Sequence, residues 1–285
     1  MQLISDSRIG SNVRAVLTLS IACGMSRKEI VSYPIMKRIL LLCLGATAFT
    51  AYVCAGTPER APVRIPGTSC QLLVVTTATW DTCVGTLRRF ARTDSTASWQ
   101  MVGSEVRVVV GHQGLGAAPG WLPVKRGTPV KHEGDGRAPA GVFRLGPAFG
   151  YADPSEVQGL HMQYLHATDA LKCIDDPRSA YYNRMIDSTG VHADWQSRES
   201  MKIASDEYRL GIVIRYNSDP VIPGNGSCIF LHIWGSPDEG TAGCTAMSAD
   251  DLAIVLHWLD AALDPVLLQC PAGILNGTSS APAFP

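Results

Sequence analysis

Short, β-rich apolar runs separated by turn residues are the feature that most restricts how this chain can fold. Between residues 71 and 110 such runs recur at a spacing of about ten residues, with Gly, Asp or Ser between them. This spacing is typical of an antiparallel meander. Similar runs return later in the chain. The predicted strands are Gln71–Thr79, Gly85–Arg92, Trp99–Val102, Glu105–Val110, Val142–Leu145, Leu210–Tyr216, Cys228–Trp234 and Val266–Cys270.

Because one strand pattern extends through all of these segments without an internal repeat, we expect a single, mainly β domain with few helices. One helix is predicted to begin at Ser248, where Ser248 and Asp251 form a capping box, and to stop at Asp264-Pro265. Its His257 is expected to be a surface or packing residue. The apolar stripe of this helix comprises Leu252, Val255, Leu256, Leu259 and Leu263.

Two segments lack the strand pattern. Residues 151–208 are rich in aromatic and polar side chains, and we expect this insertion to form a lid or a cleft wall, with a short helix over Ser197–Ala204. Residues 111–120 are rich in glycine, but no Lys-Ser/Thr pair follows, so a phosphate-binding loop is not supported. We expect a flexible loop over a cleft there, with His112 exposed.

Charge separates the first 55 residues from the rest. They carry a balance of +4, whereas the remaining residues carry −5. An acidic chain of this kind has no sequence-independent attraction for nucleic acid, so no nucleic-acid partner is expected. Lys37-Arg38 precedes an uncharged run of 17 residues that ends in small residues, which predicts a signal peptide cleaved near Ala55–Gly56. An uncleaved anchor is the alternative, because such a run is just long enough to span a bilayer.

These patterns divide the chain into five predicted parts. They are a non-native N-terminal extension (1–35), a signal peptide (36–55), a linker (56–69), a folded domain (70–271) and a disordered tail (272–285). Export would place the protein in the periplasm or cell envelope, with no stable membrane span after signal cleavage. The sequence does not predict an oligomeric state.

The cysteine content after the signal fits an exported chain, because thiols tend to pair in an oxidising compartment. The pairing cannot be derived from the sequence. If Cys244 is a nucleophile it must stay free, and at most two disulfides can form. One hypothesis is a bond between Cys173 and Cys228. The six cysteines are Cys70, Cys83, Cys173, Cys228, Cys244 and Cys270.

A His and a Cys that are 12 residues apart mark the candidate site. His232 lies in an apolar strand, and Cys244 follows a turn that contains Gly, Pro, Asp and Glu. A reversal of the chain would bring the imidazole within reach of the thiol, which needs a base to become a nucleophile near neutral pH. Gly243 would let the backbone bend so that N–H groups point at a developing oxyanion. The alternative is two coincidental core residues, because free Cys is often buried.

A second informative block is Lys131–Phe143, KHEGDGRAPAGVF. Its glycines and proline permit tight turns, and it is either an elaborate turn or a cleft wall to which Arg137, Asp135 or Glu133 contributes. Nowhere does the sequence contain HExxH, CxxC or a similar ligand set. We therefore expect neither a metal site nor a cofactor.

The segment TAGC after a strand ending in FLH resembles the catalytic signature of the YkuD-type L,D-transpeptidases, in which a His and a spacer precede Ser/Thr-x-Gly-Cys. The blocks KHEGDGRAPAGVF, CIDDPRSAYYN, ADWQSRESM and CIFLHIW are similar to one branch of that family. The similarity extends over residues 71–269. It implies a β-sandwich-like catalytic domain with a few short helices and a long insertion, acting on peptidoglycan stem peptides.

By this resemblance Cys244 is the nucleophile and His232 the general base. The thiolate would attack the carbonyl of the diamino-acid residue next to a terminal D-Ala, and an amine would resolve the thioester. Backbone N–H groups of Gly243, Cys244 and Thr245 would hold the oxyanion. Substrate contacts are expected from Thr241, Arg137, Tyr182, Asn183, Trp195 and Trp234.

Two departures from the family pattern leave the substrate open. Many members carry HGCxR around the Cys, whereas Ala242 and Ala246 stand at the His and Arg positions here. Loss of the Arg removes a charged contact but leaves the nucleophile and base intact. Hydrolysis of the same acyl-enzyme, as in an L,D-carboxypeptidase or amidase, is one alternative. A non-catalytic cell-wall-binding module is another.

Overall fold

The computed structural model describes residues 63–121 and 126–275. The predicted extension and signal peptide, the first part of the linker and residues 276–285 of the tail lie outside them. No helix within the described ranges is long and apolar enough to cross a membrane. The strands are β1 Gln71–Thr77, β2 Val84–Ala91, β3 Gln100–Val109, β4 Leu115–Ala117, β5 Ala138–Gly150, β6 Tyr164–His166, β7 Leu171–Cys173, β8 Met185–Asp187, β9 Glu199–Ser200, β10 Leu210–Ile214, β11 Phe230–Ile233, β12 Thr245–Met247 and β13 Val266–Pro271. The α-helices are α1 Pro154–Val157, α2 Ala249–Trp258 and α3 Ala272–Leu275.

The main sheet closes on itself through its longest strand, β5. Around the ring the order is β10-β11-β12-β3-β2-β1-β13-β5, and β5 pairs with β10 to complete it. β4 and β6 add parallel pairs at the two ends of β5. The mainly β fold class predicted from the sequence is confirmed, and ring closure leaves the eight ring strands without an unpaired edge.

The predicted meander is confirmed for β1, β2 and β3, which pair antiparallel. The two runs predicted around residues 99–110 are a single strand, because Gly103 adopts a φ of 69° and the β2–β3 register shifts there. Such a bulge bends a strand without ending it. β13 then returns to pair parallel with β1.

Helix α2 begins as predicted, with the Ser248 side chain accepting the Asp251 N–H. The prediction that it continues to residue 263 is wrong, because Leu259 is extended and a separate 3₁₀ turn covers Ala261–Leu263. The side-chain amide of Gln71 contacts the Trp258 carbonyl and the Asp260 N–H at 2.6 and 2.7 Å, a distant interaction that stabilises the helix end. His257 is exposed, which is the first of its two predicted roles.

The glycine-rich segment is not the flexible loop that its composition indicated. Leu115–Ala117 is a buried strand paired with β5. His112 is exposed, as expected, but its backbone N–H donates to the Thr241 carbonyl at 2.7 Å. The segment therefore braces the loop that carries Cys244.

The insertion 151–208 contains a small antiparallel sheet in the order β8-β7-β9. The helix predicted over Ser197–Ala204 is wrong, because Glu199–Ser200 pairs with β7 instead. A disulfide between Cys173 and Cys228 joins this sheet to the segment before β11, which confirms the proposed pair. The other described cysteines, Cys70, Cys83, Cys244 and Cys270, are free.

Both ends of the folded part extend past the strands. Val63 and Ser69 of the predicted linker are buried, and Arg92 donates hydrogen bonds to carbonyls of residues 66, 67 and 69. At the other end α3 covers the first four residues of the predicted tail and packs its Ile274 on the core cluster around Leu268.

A buried polar chain joins the last strand to the start of β5. Thr245 Oγ1 donates to Gln269 Oε1 at 2.7 Å, and Gln269 Nε2 donates to the Pro139 carbonyl at 2.9 Å.

We predict that Gln269→Leu lowers the free energy of unfolding by about 1–3 kcal/mol, because it leaves both partners buried without a hydrogen bond. Urea denaturation measures the change. The exposed Gln100→Leu serves as the control, with an expected change within about 0.5 kcal/mol; equal losses in the two variants would contradict the prediction.

Candidate active site

Of the two predicted catalytic side chains, His232 lies on β11 and Cys244 lies directly before β12, the parallel neighbour of β11. The register pairs His232 of β11 with Ala246 of β12, and Cys244 lies two residues before Ala246. Because side chains two residues apart share a face of a strand, this offset makes His232 and Cys244 diagonal neighbours. Both line one cavity of about 600 Å³.

The Cys244 sulfur is almost fully enclosed, with 7% of the residue exposed. The Phe230 N–H donates to Sγ at 3.3 Å, and the thiol contacts the Cys228 carbonyl at 3.5 Å. Burial raises the pKa of this thiol well above its ordinary value, and the negative charge of Glu199 raises it further. The Phe230 N–H and the Lys131 ammonium group act in the opposite direction. The resting sulfur is therefore a thiol.

His232 is held in one orientation. Its Nδ1 lies 2.7 Å from the Ile233 carbonyl, which can only accept, so Nδ1 carries the proton and Nε2 is left as the base. The Tyr208 ring and the imidazole pack in a T-shaped arrangement with 5.2 Å between ring centroids. Burial lowers the pKa of His232, opposed by the Ile233 carbonyl and by Glu207. The resting pair is neutral imidazole and thiol.

Thr241 shapes the loop that presents the thiol. Its Oγ1 donates to the Cys244 carbonyl at 2.7 Å and accepts the Gly243 N–H at 3.1 Å. The Gly243 amide, expected to face an oxyanion, is thus already hydrogen-bonded in this structure. A side chain at Gly243 would also meet the Arg137 carbonyl at 3.2 Å, which explains the glycine. Thr245 is fully buried in β12.

Six residues were predicted to contact the substrate. Three of them, Arg137, Tyr182 and Asn183, form hydrogen bonds within the protein instead, and a fourth, Trp195, packs on another aromatic ring. Arg137 does not line the cavity, because its guanidinium donates to the carbonyls of Trp80 and Leu115 and pairs with Asp81. The Trp195 ring packs on Tyr181 instead. Thr241 and Trp234 do line the cavity, as expected.

Tyr182 and Asn183 lie behind the cavity wall. The Tyr182 hydroxyl donates to Glu133 and accepts the Gly226 N–H. Asn183 accepts the Cys228 N–H at 2.9 Å and donates to the carbonyls of residues 216 and 217. Cys228 has a φ of 54°, a left-handed value that non-glycine residues rarely adopt, and these contacts hold it there.

Several polar residues of the cavity were not predicted. Lys131, which is 2% exposed, forms an ion pair with Asp135 at 2.6 Å. It begins the block KHEGDGRAPAGVF, and the same block provides Glu133, one of the three residues expected to line a cleft. The insertion provides further polar side chains, which confirms that it forms part of the cleft wall. These are Asp175, Glu199, Ser200, Glu207 and Tyr208.

The two alanines of the catalytic segment have different surroundings. Ala246 is completely buried between His232 on one neighbouring strand and Val109 on the other. An arginine could not be accommodated at this position without opening the sheet. Ala242 is exposed and lines the cavity.

The family comparison agrees with the fold. The model of the YkuD L,D-transpeptidase catalytic domain matches residues 90–268. Since this match covers more than half of the chain, the protein belongs to the L,D-transpeptidase YkuD family, a family of peptidoglycan enzymes. No curated protein and no solved structure gave a significant match.

The contacts of Asn183 predict a structural role for its amide. Asn183→Ala should lower the free energy of unfolding by about 1–3 kcal/mol, because the Cys228 N–H and two carbonyls lose their partner. Urea denaturation again measures the effect. Gln196→Ala, an exposed amide in the same insertion, is the control. An Asn183 variant as stable as the wild type would show that these contacts contribute little.

Proposed function

We propose that this protein is a cysteine acyltransferase of the cell envelope that forms a thioester between Cys244 and a peptidoglycan stem peptide. The observation that supports it best is the shared cavity of Cys244 and His232, with Nδ1 of the imidazole engaged and Nε2 left as the base. Membership of the L,D-transpeptidase family supports the substrate class.

In the first half-reaction, Nε2 of His232 takes the thiol proton as Sγ attacks the carbonyl carbon of the residue before a terminal D-Ala. The tetrahedral intermediate breaks its C–N bond, and the imidazolium returns the proton to the departing amine. In the second, an acceptor amine attacks the thioester and gives its proton to His232. The C–S bond breaks, and the sulfur regains a proton from the imidazolium.

The oxyanion of the tetrahedral intermediate would lie against backbone N–H groups of the Cys244 loop. Thr245 and Cys244 are the first candidates. The Gly243 N–H can take part only by leaving Thr241 Oγ1, to which it is bonded at rest.

The remaining assignments are proposals of the same kind. Residues 36–55 act as the signal peptide of a periplasmic or envelope protein, after a non-native extension at 1–35. Residues 70–271 form the catalytic domain. Its proposed partners are peptidoglycan stem peptides, and no nucleic-acid partner is proposed.

The test is incubation of the purified chain with a disaccharide tetrapeptide and a D-amino acid, followed by mass spectrometry. Transfer predicts exchange of the terminal D-Ala for the added amino acid, whereas tripeptide alone would indicate hydrolysis.

Cys244→Ala should lower the rate by a factor of at least about 10³, because no other group replaces the nucleophile. Cys83→Ala, at a half-buried free cysteine, should retain activity. Full activity in the Cys244 variant would exclude the mechanism, and inertness of the wild type would favour a wall-binding module.

The buried imidazole predicts the acid side of the pH profile. His232 must be neutral to act as base, and burial lowers its pKa, so kcat/KM should fall only below the ordinary imidazole value of about 6.5. A pH series of initial rates measures this limb. A midpoint above 6.5 would show that the imidazolium is favoured in the free enzyme and would contradict the neutral resting pair.

A further inference from the structure

Tyr208, the last residue of the insertion, lies against the proposed base. It ends the 3₁₀ turn Asp206–Tyr208, and β10 begins two residues later. In the register of β10 with β11, Gly211 pairs with His232, so the main chain carries Tyr208 to the neighbourhood of the imidazole. The two rings are T-shaped with 5.2 Å between their centroids, and both residues line the cavity that contains Cys244.

Two buried phenylalanines hold the body of the Tyr208 ring. Phe149 of β5 packs on it at 5.9 Å and Phe230 of β11 at 5.8 Å between ring centroids, and the two phenylalanines pack on each other at 5.0 Å. All these contacts are T-shaped, the arrangement that aromatic pairs prefer over a face-to-face stack. The N–H of Phe230 also donates to the Cys244 sulfur. The same aromatic group therefore contacts the base and the residue that holds the thiol.

The tip of the Tyr208 side chain is anchored in the insertion. Its hydroxyl donates to Glu199 at 2.6 Å. Glu199 lies on β9 opposite Cys173, which is disulfide-bonded to Cys228 directly before β11. The main sheet thus holds one end of the Tyr208 ring and the small sheet of the insertion holds the other, so the ring has little freedom to turn away from His232.

The imidazole of His232 needs such a support. The hydrogen bond that orients it comes from the next residue of its own strand, with Nδ1 2.7 Å from the Ile233 carbonyl. The torsion that turns a histidine ring has broad, roughly two-fold preferences, so the ring can also turn to present its other nitrogen. A ring packed on the imidazole opposes this rotation, because packed side chains leave no space for it.

We propose that Tyr208 is a positioning residue for the reaction. Its ring keeps the His232 imidazole in the orientation that leaves Nε2 free to act as the base, and its hydrogen bond to Glu199 keeps the ring in place. That this base takes part in acyl transfer rests on the proposed function, whereas the orientation of the imidazole does not. The insertion then supplies, besides part of the cleft wall, the residue that orients the base.

Histidine NMR tests the orientation without turnover. Nitrogen-labelled histidine distinguishes the two neutral tautomers, and the signals of His232 are those that His232→Gln removes. At about pH 8, where an ordinary imidazole is neutral, the wild type should show His232 protonated on Nδ1 alone. Tyr208→Leu should show a mixture of both tautomers, because the imidazole can turn, whereas Tyr208→Phe should keep the single tautomer.

Tyr181→Leu is the matched control. The Tyr181 ring belongs to the same insertion and packs T-shaped on Trp195 at 5.7 Å, away from the cavity. This variant should leave the His232 signals unchanged, although it also removes an aromatic pair. A single Nδ1-protonated tautomer in a folded Tyr208→Leu protein, or a mixture of tautomers in the wild type, would overturn the proposal.

Steady-state kinetics test the consequence for the reaction. Tyr208→Leu should lower kcat by about 10²-fold with a much smaller change in KM, because a misplaced base impairs proton transfer more than substrate binding. Tyr208→Phe should keep most of kcat, since the ring remains, and Tyr181→Leu should keep all of it. Equal losses in the Phe and Leu variants of Tyr208, or an unchanged kcat in a folded Tyr208→Leu protein, would contradict a role of the ring.

A second variant covers a failure to fold. If Tyr208→Leu does not fold, Tyr208→Met carries the same expectations, because methionine is flexible enough to fill an irregular space without an aromatic ring. The NMR result stands even if no acyl transfer is detected. Failure of the proposed function and failure of this proposal are therefore distinguishable.

Discussion

The parallel pairing of β11 with β12 is the constraint on which the site depends. It places an imidazole and a thiol as diagonal neighbours in a sheet interior, where both are nearly excluded from water. Because burial disfavours both charged forms, the pair rests neutral and ionises only as the sulfur attacks. The closed ring of strands keeps this pairing in register, since every strand of the ring has a neighbour on each side.

The wall opposite the catalytic strands is held by connections that cross between the two sheets. The disulfide of Cys173 with Cys228 is covalent, and the Asn183 amide adds three hydrogen bonds to the same segment. These connections place the insertion, including Glu199 and Tyr208, in the wall of the cavity that contains the Cys244 sulfur. The insertion thus contributes the Asp175, Glu199 and Glu207 carboxylates of the cavity, while β11 and the segment directly before β12 contribute its base and nucleophile.

Local pattern was sufficient to predict most strands of the ring, the start of α2 and the pair of His232 and Cys244. It failed where a distant residue decides the outcome. Gln71 stabilises the end of α2 from 187 residues away in the chain. Arg137 was predicted to contact the substrate because of its charge, but its guanidinium donates to the Trp80 and Leu115 carbonyls and pairs with Asp81. The place of Glu199 in the cavity wall could not be predicted, because it comes from the pairing of β9 with the strand of a disulfide cysteine and from nothing in its own neighbourhood of the sequence.

The most direct test of the central claim is intact-mass spectrometry of the protein after incubation with tetrapeptide and no acceptor amine. A thioester on Cys244 predicts a mass gain equal to the donor peptide minus its terminal D-Ala, mapped to the peptide that contains Cys244 and removed by hydroxylamine. An adduct on another residue, or turnover of the tetrapeptide by Cys244→Ala, would contradict the assignment of Cys244 as the nucleophile.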